Sequence, residues 1–452
     1  MTDHPPALIR RRAFLRNATA ASAAAAMAMY APASAFAKTR ARKPETIRCA
    51  VLGTNSRGGY LASQFASIAG SEVAYICDPD DLAAAKGVRS TLEHQAVEPK
   101  VVRDFRRALD DASVHAVVVA TPDHWHAPAA LLALAAGKHV YLEKPCGHNS
   151  AEGEMLVRAQ SEHPDLVVQM GNQRRSSLAV REAVAALHEG VIGRAYHAKT
   201  WYCRKRGPIG AGKPAPVPAH LDYELWQGPA PRVPFRDNII HYNWHWFWNW
   251  GTGETCNNAT HEVDVARWAL GCGFPSRVTS AAARHRYNDD WEAWDIQQVG
   301  MEFPDRKTIF WEGHSVDQVN QFGRGRGTIV FGDAGSVHIM ENSFEVRDHD
   351  DSVVKRYGAE RIGDTTDTRS PTSNLTRAHI ENFLNAIRGT EAHTSPIDEG
   401  HKSVLLCHMG NVAQRTSGAV KLDPATGRIL PGQDAAENLW GRAYEPGWEP
   451  TV

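Results

Sequence analysis

The sequence predicts an α/β protein in which a doubly wound parallel sheet is followed by an α+β domain with a large open, mainly antiparallel sheet. Three observations carry this prediction. Strand-like and helix-like segments alternate between 46 and 142, and a glycine-bearing turn joins the first strand to the first helix. From 195 to 341 the pattern changes to β-rich segments divided by Gly, Asn and Asp turns.

The run 46–53, Thr-Ile-Arg-Cys-Ala-Val-Leu-Gly, is a short buried strand ending on a turn residue. A turn at 55–59, a helix at 60–69 and an apolar strand at 72–77, closed by Asp78-Pro79-Asp80, complete a βαβ unit. Helices at 82–92, 105–110 and 126–136 then alternate with strands at Val101-Val102, 116–121 and 139–142. A helix at 152–161, a strand at 166–170 and a helix at 179–188 lead into the second domain. Its strands are expected at 195–202, 277–285, 297–303, 307–312, 327–332 and 336–341, with helices at 262–270, 376–388 and 400–418. The expected domain limits are 46–165 and 166–422, with a Pro- and Gly-rich tail at 423–452 that wraps the surface.

The chain has 452 residues and is 42% hydrophobic, enough apolar material for two cores. A net charge of -1 argues against a nucleic acid or anionic membrane partner, both of which need a basic surface, and favours a small polar molecule. Residues 1–37 read as a targeting segment. Arg10-Arg11-Arg12-Ala13-Phe14-Leu15-Arg16 precedes an Ala-rich run at 18–31, and this resembles a twin-arginine export signal with a cleavage site after Ala35-Phe36-Ala37. The run is too weakly apolar to span a bilayer, so a periplasmic protein starting near Lys38, with a linker at 38–45, is expected. Seven cysteines without a CxxC pair read mostly as buried thiols, which suits a route that exports folded protein.

Gly53-Thr54-Asn55-Ser56-Arg57-Gly58 lies between strand and helix, and Asp78 follows the second strand. Gly53 permits the tight turn, Gly58 allows close packing of helix on strand, and the free N–H groups of the helix start suit a pyrophosphate. This is the pattern of a dinucleotide-binding Rossmann domain, although Asn55 replaces its middle glycine. An acid at position 78 accepts from ribose hydroxyls and repels a 2′-phosphate, favouring NAD over NADP.

Thr121-Pro122-Asp123-His124-Trp125-His126 and Glu143-Lys144-Pro145 follow two later strands. Together these elements resemble signatures of the Gfo/Idh/MocA oxidoreductases. The resemblance implies that Thr121, Pro122, His126, Glu143 and Lys144 line the nicotinamide pocket, with Lys144 at the catalytic centre. An ammonium there also steadies charge developing on a reacting C–O group. Gly251-Thr252-Gly253-Glu254-Thr255-Cys256-Asn257-Asn258-Ala259-Thr260-His261 resembles the family's glycine-rich turn and catalytic helix, with Asn257 in place of an aspartate. Residues four apart share a helical face, so Asn257 and His261 are expected to point at one substrate, with His261 a candidate base. Asn257 lacks the charge of an aspartate, and Glu254, Glu262 or Asp264 are candidates to compensate.

Aromatic residues crowd 242–250, and Trp201, Tyr202, Trp246 and Trp248 are candidates to stack on a sugar ring. Gln173 and Arg174, in a loop that resembles the family's substrate-facing segment, are further candidates. Neither His124-Trp125-His126 nor the His241 and His245 pair predicts a metal site. The expectation is an exported NAD-dependent oxidoreductase acting on a sugar, polyol or glycoside, and the resemblance adds a homo-oligomer. Two alternatives remain: a glycoside hydrolase that oxidises its substrate transiently with retained NAD, and a noncatalytic sugar-binding protein.

Overall fold

A computed structural model describes residues 44–358, 374–416 and 418–452; the export segment expected at 1–37 lies outside them. Six strands, β1 (Ile47–Leu52), β2 (Ser71–Cys77), β3 (Lys100–Val102), β4 (Ala116–Val119), β5 (His139–Leu142) and β6 (Val168–Met170), form a parallel sheet in the order β3-β2-β1-β4-β5-β6. All four residues of β4 are buried, which is why it reads as an unbroken apolar run: a parallel strand is covered on both faces. The sequence reading assigns β6 to the second domain, but it pairs in parallel with β5 and closes the first sheet.

The interleaved helices are α1 (Arg57–Ala66), α2 (Asp81–Leu92), α3 (Asp123–Ala135) and α4 (Ser150–Glu162). Asp80 caps α2 by accepting from the Leu82 and Ala83 N–H groups at 2.7 and 3.3 Å. Helix α3 starts at Asp123, earlier than the expected 126, because Pro122 with φ −58° is already set for a helix entry. Pro128 inside α3 has no N–H for the His124 carbonyl, and Arg442 Nη2 from the tail donates to that oxygen instead, at 2.6 Å. The tail thus packs on the first sheet's helices, with Trp448 edge-on to Trp125.

The second sheet has nine strands in the order β14-β13-β12-β11-β7-β10-β9-β8-β15. They are β7 (Ala195–Cys203), β8 (Arg277–Ala283), β9 (Ile296–Phe303), β10 (Lys307–His314), β11 (Arg326–Gly332), β12 (Gly335–Ile339), β13 (Ser343–Arg347), β14 (Val353–Gly358) and β15 (Ala419–Lys421). Only β7 and β10 pair in parallel. Helices α5 (Leu178–His188) and α6 (Thr260–Leu270) pack in the core beneath this sheet.

Two C-terminal helices bind the halves together. Helix α7 (Leu375–Arg388) returns to the first sheet, where Ile380, Phe383 and Leu384 pack with Leu61 and Phe65 of α1. Helix α8 (Ile397–Arg415) is shared: Ile397 and Val404 join the first core, and Leu405, Leu406, Met409 and Val412 the second. Most of α8 is therefore buried, as expected for a helix between two apolar surfaces.

Gly58 marks the tightest contact in this frame, since a Cβ there would lie 1.8 Å from the Gly53 carbonyl oxygen. Gly58→Ala is expected to cost about 1–3 kcal/mol by forcing α1 away from the turn, read as a lowered urea midpoint with an unchanged slope. An unchanged midpoint would contradict this packing. Among the described residues no helix is long and apolar enough to cross a membrane.

Candidate active site

The carboxyl ends of β1, β2, β4 and β5 open onto a cleft of about 670 Å³ whose other wall comes from β7, the 241–246 segment and the start of α6. This is where an open parallel sheet binds ligands, because the strand ends and helix N-termini leave a crevice there. Gly53, Asn55, Ser56, Arg57, Asp78, Thr121, Pro122, His126, Glu143, Lys144, Gln173, Tyr202, Trp246, Asn257 and His261 all line it.

Gly53 has φ +75°, and a Cβ on it would sit 2.8 Å from the Thr121 Cα. Ser56 precedes α1 without a side-chain cap, so the first-turn N–H groups stay available. Asn55, which replaces the motif's middle glycine, is held by Lys86, whose Nζ donates to Asn55 Oδ1 at 2.6 Å from α2. Thr121 Oγ1 is buried without a hydrogen-bond partner among the described residues. A glycine cradle, uncapped helix donors and an orphan hydroxyl fit a dinucleotide. Asp78 accepts from Thr54 N–H at 2.6 Å and Asp80 N–H at 3.0 Å, which fixes its carboxylate while leaving acceptor capacity.

Glu143 and Arg57 form an ion pair at 2.8 Å, and Gln173 Nε2 donates to the same carboxylate oxygen at 3.2 Å. Beside them, Lys144 Nζ donates to two oxygens of Asn257, the backbone carbonyl at 2.8 Å and Oδ1 at 3.0 Å. Burial holds Lys144 below the usual lysine range, against the attraction of Glu143 and Asp123. His261 is pushed well below the usual histidine range, first by burial and then by the positive charges of Arg326, Lys144, Arg174 and Arg57. Asn257 sits in a π-helical turn, Thr255–Ala259, that runs straight into α6, so Asn257, Asn258 and His261 all reach the cleft.

Four predicted residues are placed elsewhere. Gly58, in the first turn of α1, is buried against the Gly53 turn and acts through packing. Trp201 neighbours Tyr202 on β7, and strand alternation sends it to the opposite face, against Phe322 and Ile329. Trp248 lies against Trp294 and under Arg415. Arg174 is buried against Glu262 at 3.2 Å behind the His261 helix. Trp246 reaches the cleft but is 1% exposed and stacked on Trp291 at 4.0 Å, so it forms the wall more than a platform. His126 has both ring nitrogens on backbone carbonyls, of Pro145 at 2.5 Å and Thr121 at 2.9 Å, tying the two cofactor-side loops together.

Arg206 and Arg326 also line the cleft and belong to no motif in the sequence. Arg326 opens β11 and Arg206 lies just past the end of β7, and local patterning marks neither as a site residue. Among the described residues no group of three or more His, Cys, Asp or Glu side chains is placed to hold a metal, and all seven cysteines are buried and free.

Residues 47–171 match the family model described as an oxidoreductase family, NAD-binding Rossmann fold, and 196–354 match its C-terminal alpha/beta domain. A curated relative, Glycosyl hydrolase family 109 protein 1 of Shewanella sp. (strain ANA-3), is 29% identical over 213 residues, 43% of this chain and 46% of the relative. The chain therefore spans about half the length of that relative. The aldose-aldose oxidoreductase of Caulobacter crescentus, solved with glycerol, aligns with a TM-score of 0.63 at 18% identity over 83% of this chain and 100% of that one. The myo-inositol dehydrogenase of Lactobacillus casei, solved with NAD(H) and myo-inositol, aligns with a TM-score of 0.61 at 16% identity over 84% and 97%. Both structural likenesses establish the fold. The two family matches lie in order along the chain and supply the two walls of the cleft, and on them the chain belongs to the Gfo/Idh/MocA family of oxidoreductases.

Proposed function

We propose that this protein is an NAD-dependent oxidoreductase acting on the hydroxyl-bearing carbon of a sugar, polyol or glycoside. The observation that carries the reading is the convergence of a dinucleotide cradle with Lys144 and His261 in one cleft. When bound, the nicotinamide supplies the hydride acceptor. Gly53, Ser56, Asp78 and Thr121 are the residues that would hold it, with Asp78 favouring NAD because a carboxylate repels a 2′-phosphate. Lys144, held below its usual range, takes the hydroxyl proton. His261 is neutral near pH 7 and accepts or donates a hydrogen bond to a substrate hydroxyl. Tyr242, 45% exposed at the cleft, offers an aromatic face to a sugar ring.

A second reading, glycoside cleavage through transient oxidation with a retained cofactor, is favoured by the likeness to a glycosyl hydrolase family 109 protein. Export by the twin-arginine route is part of the proposal and suits a protein that keeps its cofactor. The test is absorbance and fluorescence in the reduced-nicotinamide band, before and after a panel of sugars and aryl glycosides is added without external cofactor. Reduction that persists supports the dehydrogenase. Repeated release of aryl alcohol without net reduction supports the glycosidase, and failure to take up any nicotinamide would sink both.

A further inference from the structure

Glu254 stands one residue before the π-helical turn and is 4% exposed. Its carboxylate accepts from Arg206 Nε at 2.6 Å and Nη2 at 3.1 Å, and from Ser315 Oγ at 2.9 Å. It also accepts from Asn257 Nδ2 at 3.3 Å and from Asn258 Nδ2. Arg206 is held in turn by the Tyr242 hydroxyl and by the face of Trp246, 4.9 Å from its ring centre. A carboxylate placed this way is an acceptor only, so it dictates which end of a neighbouring amide faces it.

That matters for Asn257, whose side chain has a donor end and an acceptor end of nearly equal shape. With its NH2 drawn to Glu254, only Oδ1 is left to meet Lys144 Nζ, at 3.0 Å. We propose that Glu254, clamped by Arg206, is a positioning residue: it sets the Asn257 amide so that Oδ1 joins the Asn257 backbone carbonyl, two neutral oxygens and no carboxylate, in holding Lys144 Nζ in the cleft. This rests on the reading of Lys144 as the proton acceptor. In the step served, Nζ takes the hydroxyl proton, the O–H electron pair becomes the second C–O bond, and the carbon's hydrogen would leave with its electron pair as hydride, for which a bound oxidised nicotinamide would be the acceptor.

The groups around Nζ are known. Glu143 and Asp123 at the first-sheet loops and Glu254 behind the π turn favour the ammonium, while burial and Arg57 oppose it. His261 and His245 add no charge at neutral pH, since burial pushes both down, His245 to about 3. Placing a carboxylate in direct contact with Nζ would shift this balance toward the ammonium, and removing the Glu254 charge would shift it the other way.

The experiment is a pH titration of the full chain, carrying lysine 13C-labelled at Cε, by NMR without added nicotinamide, with the Lys144 signal assigned through Lys144→Arg. Asn257→Asp is expected to raise the Lys144 midpoint by about 1–3 units. Glu254→Gln is expected to lower it, and Arg206→Gln/Glu254→Gln, which leaves no unpaired arginine, is expected to lower it in the same direction. Ser315→Ala, which removes a donor that does not touch Asn257, is expected to leave it in place. The double variant decides, because there the paired charges leave together: a Lys144 midpoint equal to wild type in it, while Asn257→Asp moves the midpoint, would overturn the positioning role even where Glu254→Gln alone lowers it. Failure of the chain to bind nicotinamide would count against the proposed function alone, because the titration reads the chain without it.

Discussion

Replacing Lys144 with Met is expected to lower kcat/KM for a carbinol substrate by about 10²–10⁴-fold, the usual contribution of a positioned proton acceptor. Met keeps the apolar stem, so the loss reports the amine. Lys144→Arg is expected to restore little, because a guanidinium does not give up its proton in the working range. The pH profile separates Lys144 from its neighbour. A lysine held below its usual range by burial has its free-base fraction rise with pH, so kcat/KM should climb with pH and level off above the Lys144 titration. His261, pushed well below the histidine range by burial and by Arg326, is already neutral over that interval and contributes no limb to it. The limb should therefore disappear in Lys144→Met and survive, at reduced amplitude, in His261→Gln. Survival of the same limb in Lys144→Met would move the proton to another group, with Asp123 the first candidate, since it is buried beside His126 and Lys144 and held above the usual carboxylate range by burial.

The parts of this site that were legible from sequence are those whose chemistry is local to the chain. Gly53 and Asp78 follow buried strands, and a strand end in a parallel sheet has one place to point, so their approach to the cleft follows from periodicity. Asn257 and His261 follow from helical spacing, which tolerated the π turn because both residues remained on the cleft side. Trp201 shows the limit of that reasoning: adjacent strand residues cannot both face one ligand, and only register distinguishes it from Tyr202. The strand β14 was missed because Val-Val-Lys-Arg-Tyr-Gly is largely exposed and carries no alternating pattern; β13, Ser-Phe-Glu-Val-Arg, does alternate but is only five residues long and pairs with β14 on one side. Arg206 and Arg326 were invisible for another reason. Each gains its role from a carboxylate far along the chain, Glu254 or Glu262, and a lone arginine beside a strand carries no sign of such a partner.

Glu262→Gln is expected to destabilise the fold by about 3–5 kcal/mol, the range for breaking a buried ion pair by removing one partner. Glu262 is 0% exposed and accepts from Arg326 Nε at 2.8 Å and Nη2 at 3.0 Å, while Arg174 Nη2 lies 3.2 Å away. Glutamine preserves the volume but replaces one acceptor oxygen with a donor, which must then face a guanidinium N–H. Arg174 suffers most, since its Nη1 already has no hydrogen-bond partner among the described residues and Glu262 is its salt-bridge partner. The surface pair Arg277 and Glu302 provides the contrast: it is as short, 2.7 Å, but its side chains are 44% and 46% exposed, and Glu302→Gln is expected to cost about 0–1 kcal/mol. Urea denaturation of the two variants under one set of conditions decides the matter. A large shift for Glu262→Gln alone means that burial, and not contact distance, sets the strength of these pairs, whereas equal small shifts would mean that the arginines behind His261 find other compensation. In the first case the loss should reach the site as well, because Arg326 lies 5.1 Å from the Tyr202 ring centre and both line the cleft.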